Sequence, residues 1–395
     1  MHKEQIVKAA AKIKTKEDLL DLLNLIKNHN FVESDNRHSY PISLQQLNYY
    51  CNPKHTTKRF YQFQIPKKSG GTRIITTPAT NSYKLLLSCV NDLLKSLYSP
   101  SPYAMGFSAG KSVVTNASVH TRQNYVFNID LKDFFPSIEQ ARVWKRLQMP
   151  PFNFSQSIAN IIAGLCAMQE EKDGTLKYIL PQGAPTSPIL TNMICDNLDR
   201  RLAGLAKRFG LRYTRYADDI TFSSMHNVYQ EHGDFRKELT RIIADQGFTI
   251  NDAKTRLQKQ GSRQEVTGLI VSQKVNVPQK YTRNLRNILY IWDRYGLEVA
   301  RNKFLSKYKT DKIQIKGNPD FMRILNGKLM YLKMVKGEQD SVYQRLHDKF
   351  SHLMQISKKD HMPASKDIAH PSTISNEATH IDLDILATEL DDLLI

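Results

Sequence analysis

The sequence predicts an α/β (α+β) chain: helices and short strands interleave as far as about residue 275, and helices alone follow. Three observations support this. Apolar residues recur at helical spacing over long stretches near both ends of the chain. Between them lie strand-length runs rich in aromatic and β-branched residues, Tyr125-Val-Phe-Asn-Ile, Arg212-Tyr-Thr-Arg-Tyr and Ile220-Thr-Phe-Ser. Beyond residue 279 such runs cease. The 395 residues, 41% hydrophobic, can build two or three domains or one multilobed body with substantial cores.

Residues 4 to 28 carry apolar positions through Leu19, Leu20, Leu22, Leu23, Leu25 and Ile26, which predicts one amphipathic helix or a pair. Phe60-Tyr-Gln-Phe-Gln-Ile-Pro and Thr72-Arg73-Ile-Ile flank Gly70-Gly71, so a hairpin gathers Lys67, Lys68 and Arg73 near its tip. Helical patterns follow at 81 to 98, 137 to 148, 155 to 168 and 188 to 207, the last preceded by Pro185 and Pro188 around Thr186-Ser187. A turn at Asp218-Asp219 joins two of the strands. A helix over about 233 to 246 precedes Gly247-Phe-Thr-Ile-Asn251-Asp-Ala-Lys254-Thr, which leads to a second hairpin around Val266-Thr267-Gly268-Leu-Ile-Val-Ser. Helices with Lys and Arg throughout are predicted at 279 to 296, 298 to 308, 318 to 336 and 340 to 355. The last forty residues open as a Ser/Pro/His linker and close with the acidic, amphipathic run from Ile381 to Ile395. The chain thus divides into an N-terminal helical segment (1–50), a hairpin-bearing region (51–125), a mixed region (126–275, with an insertion at about 140–180), a helical region (276–355), and a linker with an acidic tail (356–395).

A formal charge of +18 favours a polyanionic partner, because Lys and Arg that neutralise phosphates release condensed counterions. The charge is uneven: residues 356 to 395 hold 3 Lys/Arg against 8 Asp/Glu, leaving 53 against 30 on the rest. Cys51, Cys89, Cys166 and Cys195 are widely spaced with no Cys-x-x-Cys pair, which argues against a disulfide scaffold or zinc ribbon. The histidines, His347, His352, His361, His370 and His380 among them, lack metal-ligand spacing and read as surface residues. The charged, helix-patterned N-terminus differs from a signal peptide, and no apolar run approaches the roughly 20 residues that span a bilayer. A cytoplasmic protein without a membrane partner is expected.

Chemistry concentrates in three stretches: Asn128-Ile-Asp130-Leu131-Lys-Asp-Phe-Phe135, Leu180-Pro-Gln182-Gly183-Ala-Pro-Thr-Ser-Pro188 and Tyr216-Ala-Asp218-Asp219. Asp130 ends one strand, and 88 positions later Asp218 and Asp219 occupy a turn between two others. Adjacent strands would bring the three carboxylates together. Joining a nucleotide to a primer hydroxyl needs two divalent cations roughly 3.5–4 Å apart, which grouped carboxylates can hold. Each piece alone is short, and adjacent aspartates are common in loops. Their order and spacing read as a templated polymerase of the reverse-transcriptase kind.

From the hairpin near residue 60 to about residue 355 the chain resembles bacterial retron reverse transcriptases. The aspartate and Gln-Gly stretches are shared by many reverse transcriptases. Asn116-Ala-Ser-Val-His120 matches the Asn-Ala-x-x-His signature of retron enzymes, and Val266-Thr267-Gly268 matches their Val-Thr-Gly triplet. The structural alternatives are a helix-capping Asn/His pair and a tight strand glycine. The resemblance implies a right-hand polymerase with fingers (51–125 and the insertion), palm (126–275) and an RNA-binding helical thumb (276–355). It also implies priming from a guanosine 2′-hydroxyl of a cognate non-coding RNA. The product would be multicopy single-stranded DNA that remains attached to that RNA, and an effector protein would join both in antiphage defence.

At residue level it implies that Asp130 and Asp218 hold Mg²⁺, with Mn²⁺ as the alternative, and that Asp219 supports the second of two ions. The Leu131 carbonyl would add a ligand. Phe135 would exclude a ribose 2′-hydroxyl, against the alternative of core packing beside Phe134. Gln182 and Gly183 would line the dNTP pocket, and Lys254 would protonate departing pyrophosphate. Arg73, with Lys67 or Lys68, would meet the triphosphate, because a guanidinium fork suits phosphate oxygens. RNA contacts are expected at Asn116, His120, Val266, Thr267, Gly268, Lys280, Arg283, Arg286 and Arg294. The acidic tail would dock a protein partner or remain a disordered solubilising segment. Rival readings are a group II intron protein, a stand-alone defence reverse transcriptase, or a catalytically quiet RNA-binding scaffold. Missing zinc-binding nuclease pairs count against the intron protein, and the intact aspartates against the scaffold.

Overall fold

A computed structural model describes residues 3–32, 40–66, 71–172, 174–311 and 320–359. Lys67, Lys68 and the acidic tail from residue 360 lie outside the described residues. The chain forms two compact units, one of residues 1–267 and 271–274, the other of 268–270 and 275–395.

In the first unit the N-terminal helical pattern resolves into a pair, α1 (Lys3–Ala10) and α2 (Lys16–Val32). Helix α3 (Leu44–Tyr50) starts at a capping box between Ser43 and Gln46. The short α4 (Thr56–Arg59) runs into an antiparallel hairpin of β1 (Phe60–Pro66) and β2 (Thr72–Pro78). Helix α5 (Asn81–Leu97), capped by Thr80, buries Tyr83, Leu86, Leu87, Val90, Leu93 and Leu94 along one stripe. Next come α6 (Val113–Val119), β3 (Tyr125–Asp130), α7 (Gln140–Leu147) and α8 (Gln156–Cys166). A hairpin that the hydrophobic pattern did not reveal, β4 (Met168–Lys172) and β5 (Thr175–Ile179), follows.

The single helix expected over 188 to 207 is two, α9 (Ser187–Ile194) and α10 (Asp196–Arg208). Cys195, with ψ of 0°, turns the chain between them, and the Arg146 Nε–H bonds the Met193 carbonyl at 3.2 Å. Strands β6 (Arg212–Tyr216) and β7 (Asp219–Ser224), helix α11 (Asp234–Asp245) and strand β8 (Arg256–Lys259) complete the order.

Strands β6, β7, β3 and β8 lie side by side in that order, each pair antiparallel. Alternation along a strand gives the sheet two unlike faces. Phe127, Tyr213 and Phe222 lie on one face, and Phe127 and Phe222 meet Phe235 of α11 edge-on. The opposite face carries Asn128, Asp130, Thr214, Asp219, Thr221 and Ser223, and Asn128 donates to Thr221 Oγ1 at 3.0 Å. The sequence Asn-x-Asp on β3 and Asp-x-Thr-x-Ser on β7 therefore builds a polar floor over an apolar core.

Short strands β9 (Glu265–Val266), β10 (Leu269–Val271) and β11 (Val275–Asn276) lie where the chain passes between units. The other elements among the described residues of the second unit are helices: α12 (Gln279–Tyr295), α13 (Leu297–Asp311), α14 (Phe321–Lys336) and α15 (Ser341–Lys359). Its core centres on Trp292, whose ring meets Phe321 and Phe350 edge-on. Among the described residues, no helix is long and apolar enough to cross a membrane.

Candidate active site

The turn between β6 and β7 has two residues, Ala217 and Asp218, since Tyr216 pairs with Asp219. Asp130 sits directly opposite Asp219 in the β3–β7 pairing, so both project from the polar face with Cβ atoms about 4.5–5.5 Å apart by ladder geometry. The Leu131 N–H bonds the Asp218 carbonyl at 3.1 Å, which ties the turn to the end of β3. The three aspartates that the sequence placed at strand ends are thus brought together.

Like charges facing across a ladder repel, and here they are also crowded by protein. Burial, followed by the charges of Asp218 and Asp130, pushes Asp219 up to about 6. Its outer surface is open to solvent even so. Asp218 is also raised, first by burial and then by Asp130, while Lys254 and Arg73 pull it down. Lys254 Nζ lies 2.9 Å from both Asp130 carboxylate oxygens. Asn251 adds two bonds, from Nδ2 to Asp130 Oδ1 at 3.1 Å and from its N–H to the Asp130 carbonyl at 2.8 Å. Among the described residues no three Asp, Glu, His or Cys side chains already form a closed cage for a metal ion. The donors nevertheless suit one: hard carboxylate oxygens, mutual repulsion that a cation relieves, and an ammonium already drawn to Asp130.

The Gln182-Gly183 segment meets the β1–β2 hairpin through its backbone. The Thr76 N–H bonds the Gln182 carbonyl at 2.8 Å. Gly183 has φ of +130°, and a Cβ there would lie 2.7 Å from the Thr76 carbonyl oxygen, so only glycine permits this approach. Arg73 on β2 is exposed and close enough to act on Asp218. Phe135 is half-buried, with its ring 5.5 Å from Phe134 and 6.4 Å from Phe107, so part of the ring packs and part faces outward. Leu131 is buried.

The expected RNA contacts divide. Lys280, Arg283, Arg286 and Arg294 are exposed along α12, and Gly268 is exposed at its turn. Asn116, His120 and Val266 are buried, so their side chains are turned into the fold rather than presented on its surface. His120 bridges the polar floor, its Nδ1 2.7 Å from Ser223 Oγ and its Nε2 2.7 Å from Thr214 Oγ1. Asn116 Nδ2 donates to the half-buried Thr267 Oγ1 at 3.3 Å, so the two retron signatures meet in space. Sequence reasoning assigned no role to Asn251 or to the buried Arg215–Asp199 pair. Arg215 had a signal: a cation at the interior of a strand-like run whose other arginine, Arg212, stands at its start.

The sequence matches the family described as "Reverse transcriptase (RNA-dependent DNA polymerase)" over residues 65–304. It is 34% identical to the retron Mx65 reverse transcriptase of Myxococcus xanthus, across 78% of this chain and 69% of that protein. It is 36% identical to the retron Ec86 reverse transcriptase of Escherichia coli, across 58% and 68%. A solved telomerase from Candida albicans, in complex with a fragment of telomeric RNA, overlaps at a TM-score of 0.39 and 11% identity, covering 77% of this chain and 64% of that one.

Proposed function

Because the chain belongs to the retron reverse transcriptases and is an RNA-directed DNA polymerase with the right-hand fold of that family, we propose that it copies part of a cognate non-coding RNA into multicopy single-stranded DNA. Synthesis starts at a 2′-hydroxyl of that RNA, the product stays covalently joined to it, and the pair acts with an effector protein in antiphage defence. The observation that carries the polymerase site is the placement of Asp130 opposite Asp219 with Asp218 in the adjoining turn.

Residues 51–125 are assigned to the fingers, 126–275 to the palm with an insertion at about 140–180, and 276–355 to the thumb. The family uses divalent metal ions; here Asp130 and Asp218, supported by Asp219 and the Leu131 carbonyl, would hold two Mg²⁺. Bound there, the ions lower the cost of developing negative charge on the attacking and leaving oxygens. Arg73 grips triphosphate oxygens, Gln182 and Gly183 shape the pocket, and Phe135 crowds the sugar 2′ position. Lys254, held beside Asp130, would donate a proton to the departing diphosphate. The exposed cations of α12 hold the RNA backbone.

The test is to express the chain with its flanking RNA and look on a denaturing gel for a short DNA before and after RNase and debranching treatment, beside Asp218→Ala. A discrete band that shifts with both treatments and disappears in the variant is expected. DNA that is insensitive to debranching would overturn 2′-primed synthesis. DNA that survives in Asp218→Ala would overturn the assigned site.

A further inference from the structure

We infer that Arg215 is a positioning residue for DNA synthesis, holding through Asp199 and Asn192 the turn that presents Asp218 and Asp219. This rests on reading those aspartates as the metal-holding carboxylates.

Ala217, the first of the two turn residues, has φ of 56°. A two-residue hairpin with positive φ at that position ordinarily uses glycine. An alanine persists there only where the surroundings over-determine the conformation. Arg215 supplies that constraint from the sheet face opposite the aspartates. It is wholly buried, and its Nη1 donates to the Ala217 carbonyl at 3.2 Å. The rest of the guanidinium is locked: Nε to Asp199 Oδ1 at 2.7 Å, and Nη2 to Asp199 Oδ2 at 2.8 Å and Asn192 Oδ1 at 3.1 Å. Tyr213 donates its hydroxyl to Asp199 Oδ1 at 2.8 Å.

The same turn is confined on its amide side. Asn192 Nδ2 donates to the Gly106 carbonyl at 3.0 Å, and a Cβ on Gly106 would stand 2.7 Å from Ala217 N. Asn192 therefore joins both grips on one residue, Ala217. A buried ion pair is by itself weak evidence for stability, since well-packed apolar residues often replace one without loss. Apolar residues cannot hold the Ala217 carbonyl, however, and that bond is what links the pair to the aspartates.

The experiment compares the full chain with an Arg215→Met, Asp199→Leu double variant and with Gly106→Ala, which keeps every side chain of the network. Melting temperature, kcat and KM for dNTP on a primed RNA template, and Mn²⁺ binding followed by electron paramagnetic resonance without substrates are read for each. We expect retained melting temperature, weaker Mn²⁺ binding, little change in KM, and kcat lower by roughly ten- to a hundred-fold, as for a small misplacement of reacting groups. A folded variant of either kind with parental kcat and Mn²⁺ binding overturns the inference. Failure of both to fold would make the network a folding element and overturn it equally. Asp218→Ala, run alongside, separates the two levels: full synthesis in that variant would remove the assigned site itself.

Discussion

Asp130 and Asp219 occupy a cross-strand position where two like charges are destabilising, so their side chains serve what they hold rather than the sheet. Asp219→Asn should therefore raise the melting temperature of the metal-free protein while reducing the stabilisation that added Mg²⁺ brings. A calorimetric scan with and without Mg²⁺ checks both, and an unchanged Mg²⁺ response would remove Asp219 from the ion site. Asp218→Ala should lower synthesis by roughly a thousand-fold, because several kcal/mol of charge stabilisation is lost at about 1.4 kcal/mol per decade. Lys254 separates stability from chemistry in a different way. The lysine side chain is 56% open although Asp130 is buried, and Asn251 still bonds that carboxylate without it, so Lys254→Ala should change stability by about 1 kcal/mol. A lost proton donor should slow a single turnover by roughly a hundred-fold or more. Single-turnover kinetics at saturating dNTP decide whether Lys254 acts on the leaving group or only neutralises Asp130.

At the scale of elements, α6 is joined to the catalytic sheet through His120, which bridges β6 and β7 beneath the aspartates. Burial, aided by the Arg212 charge, pulls this imidazole down to about 3, so it is neutral in the fold. The unfolded chain takes up that proton near pH 6.5 and the fold refuses it until about 3. Stability from this group is thus complete above 6.5 and falls as pH drops towards 3, with a slope approaching about 1.4 kcal/mol per pH unit. Denaturant titrations from neutral pH downward should show a shallower fall in His120→Gln than in the parent; equal slopes would mean that His120 does not titrate on unfolding. The same element shows where sequence reading stopped. Asp130, Asp218 and Asp219 were legible because strand and turn signals alone put them at neighbouring ends, and α5 because its stripe is continuous. His120 was legible as a signature but not as a buried bridge, since burial depends on which strands α6 covers. β4, with Glu170, Glu171 and Lys172 in its run, lacks apolar alternation, and β5 alternates over too few residues to stand out. The break at Cys195 was also hidden, because the neighbouring bond from Arg146 comes from a different helix.

Across the whole molecule the charge is the property most directly tied to the partner. The 53 Lys/Arg against 30 Asp/Glu in residues 1–355 set a field that draws polyanions, yet field alone does not say which cations touch phosphate. In the second unit Lys280, Arg283, Arg286 and Arg294 are exposed on α12, while Leu285, Ile288, Leu289, Ile291 and Trp292 face its core. One helix therefore offers a cationic stripe backed by a rigid apolar one. Each phosphate left without its cation should reduce the slope of log affinity against log salt by roughly 0.7–0.9. Reversing all four charges to Glu should thus flatten that slope by about 3 and weaken RNA binding most at low salt. Melting temperature should hold, because none of the four side chains lies in the core. Filter binding of the cognate RNA across a salt series tests this. An unchanged slope in a folded variant would move the RNA path off α12 and on to the cations of the first unit.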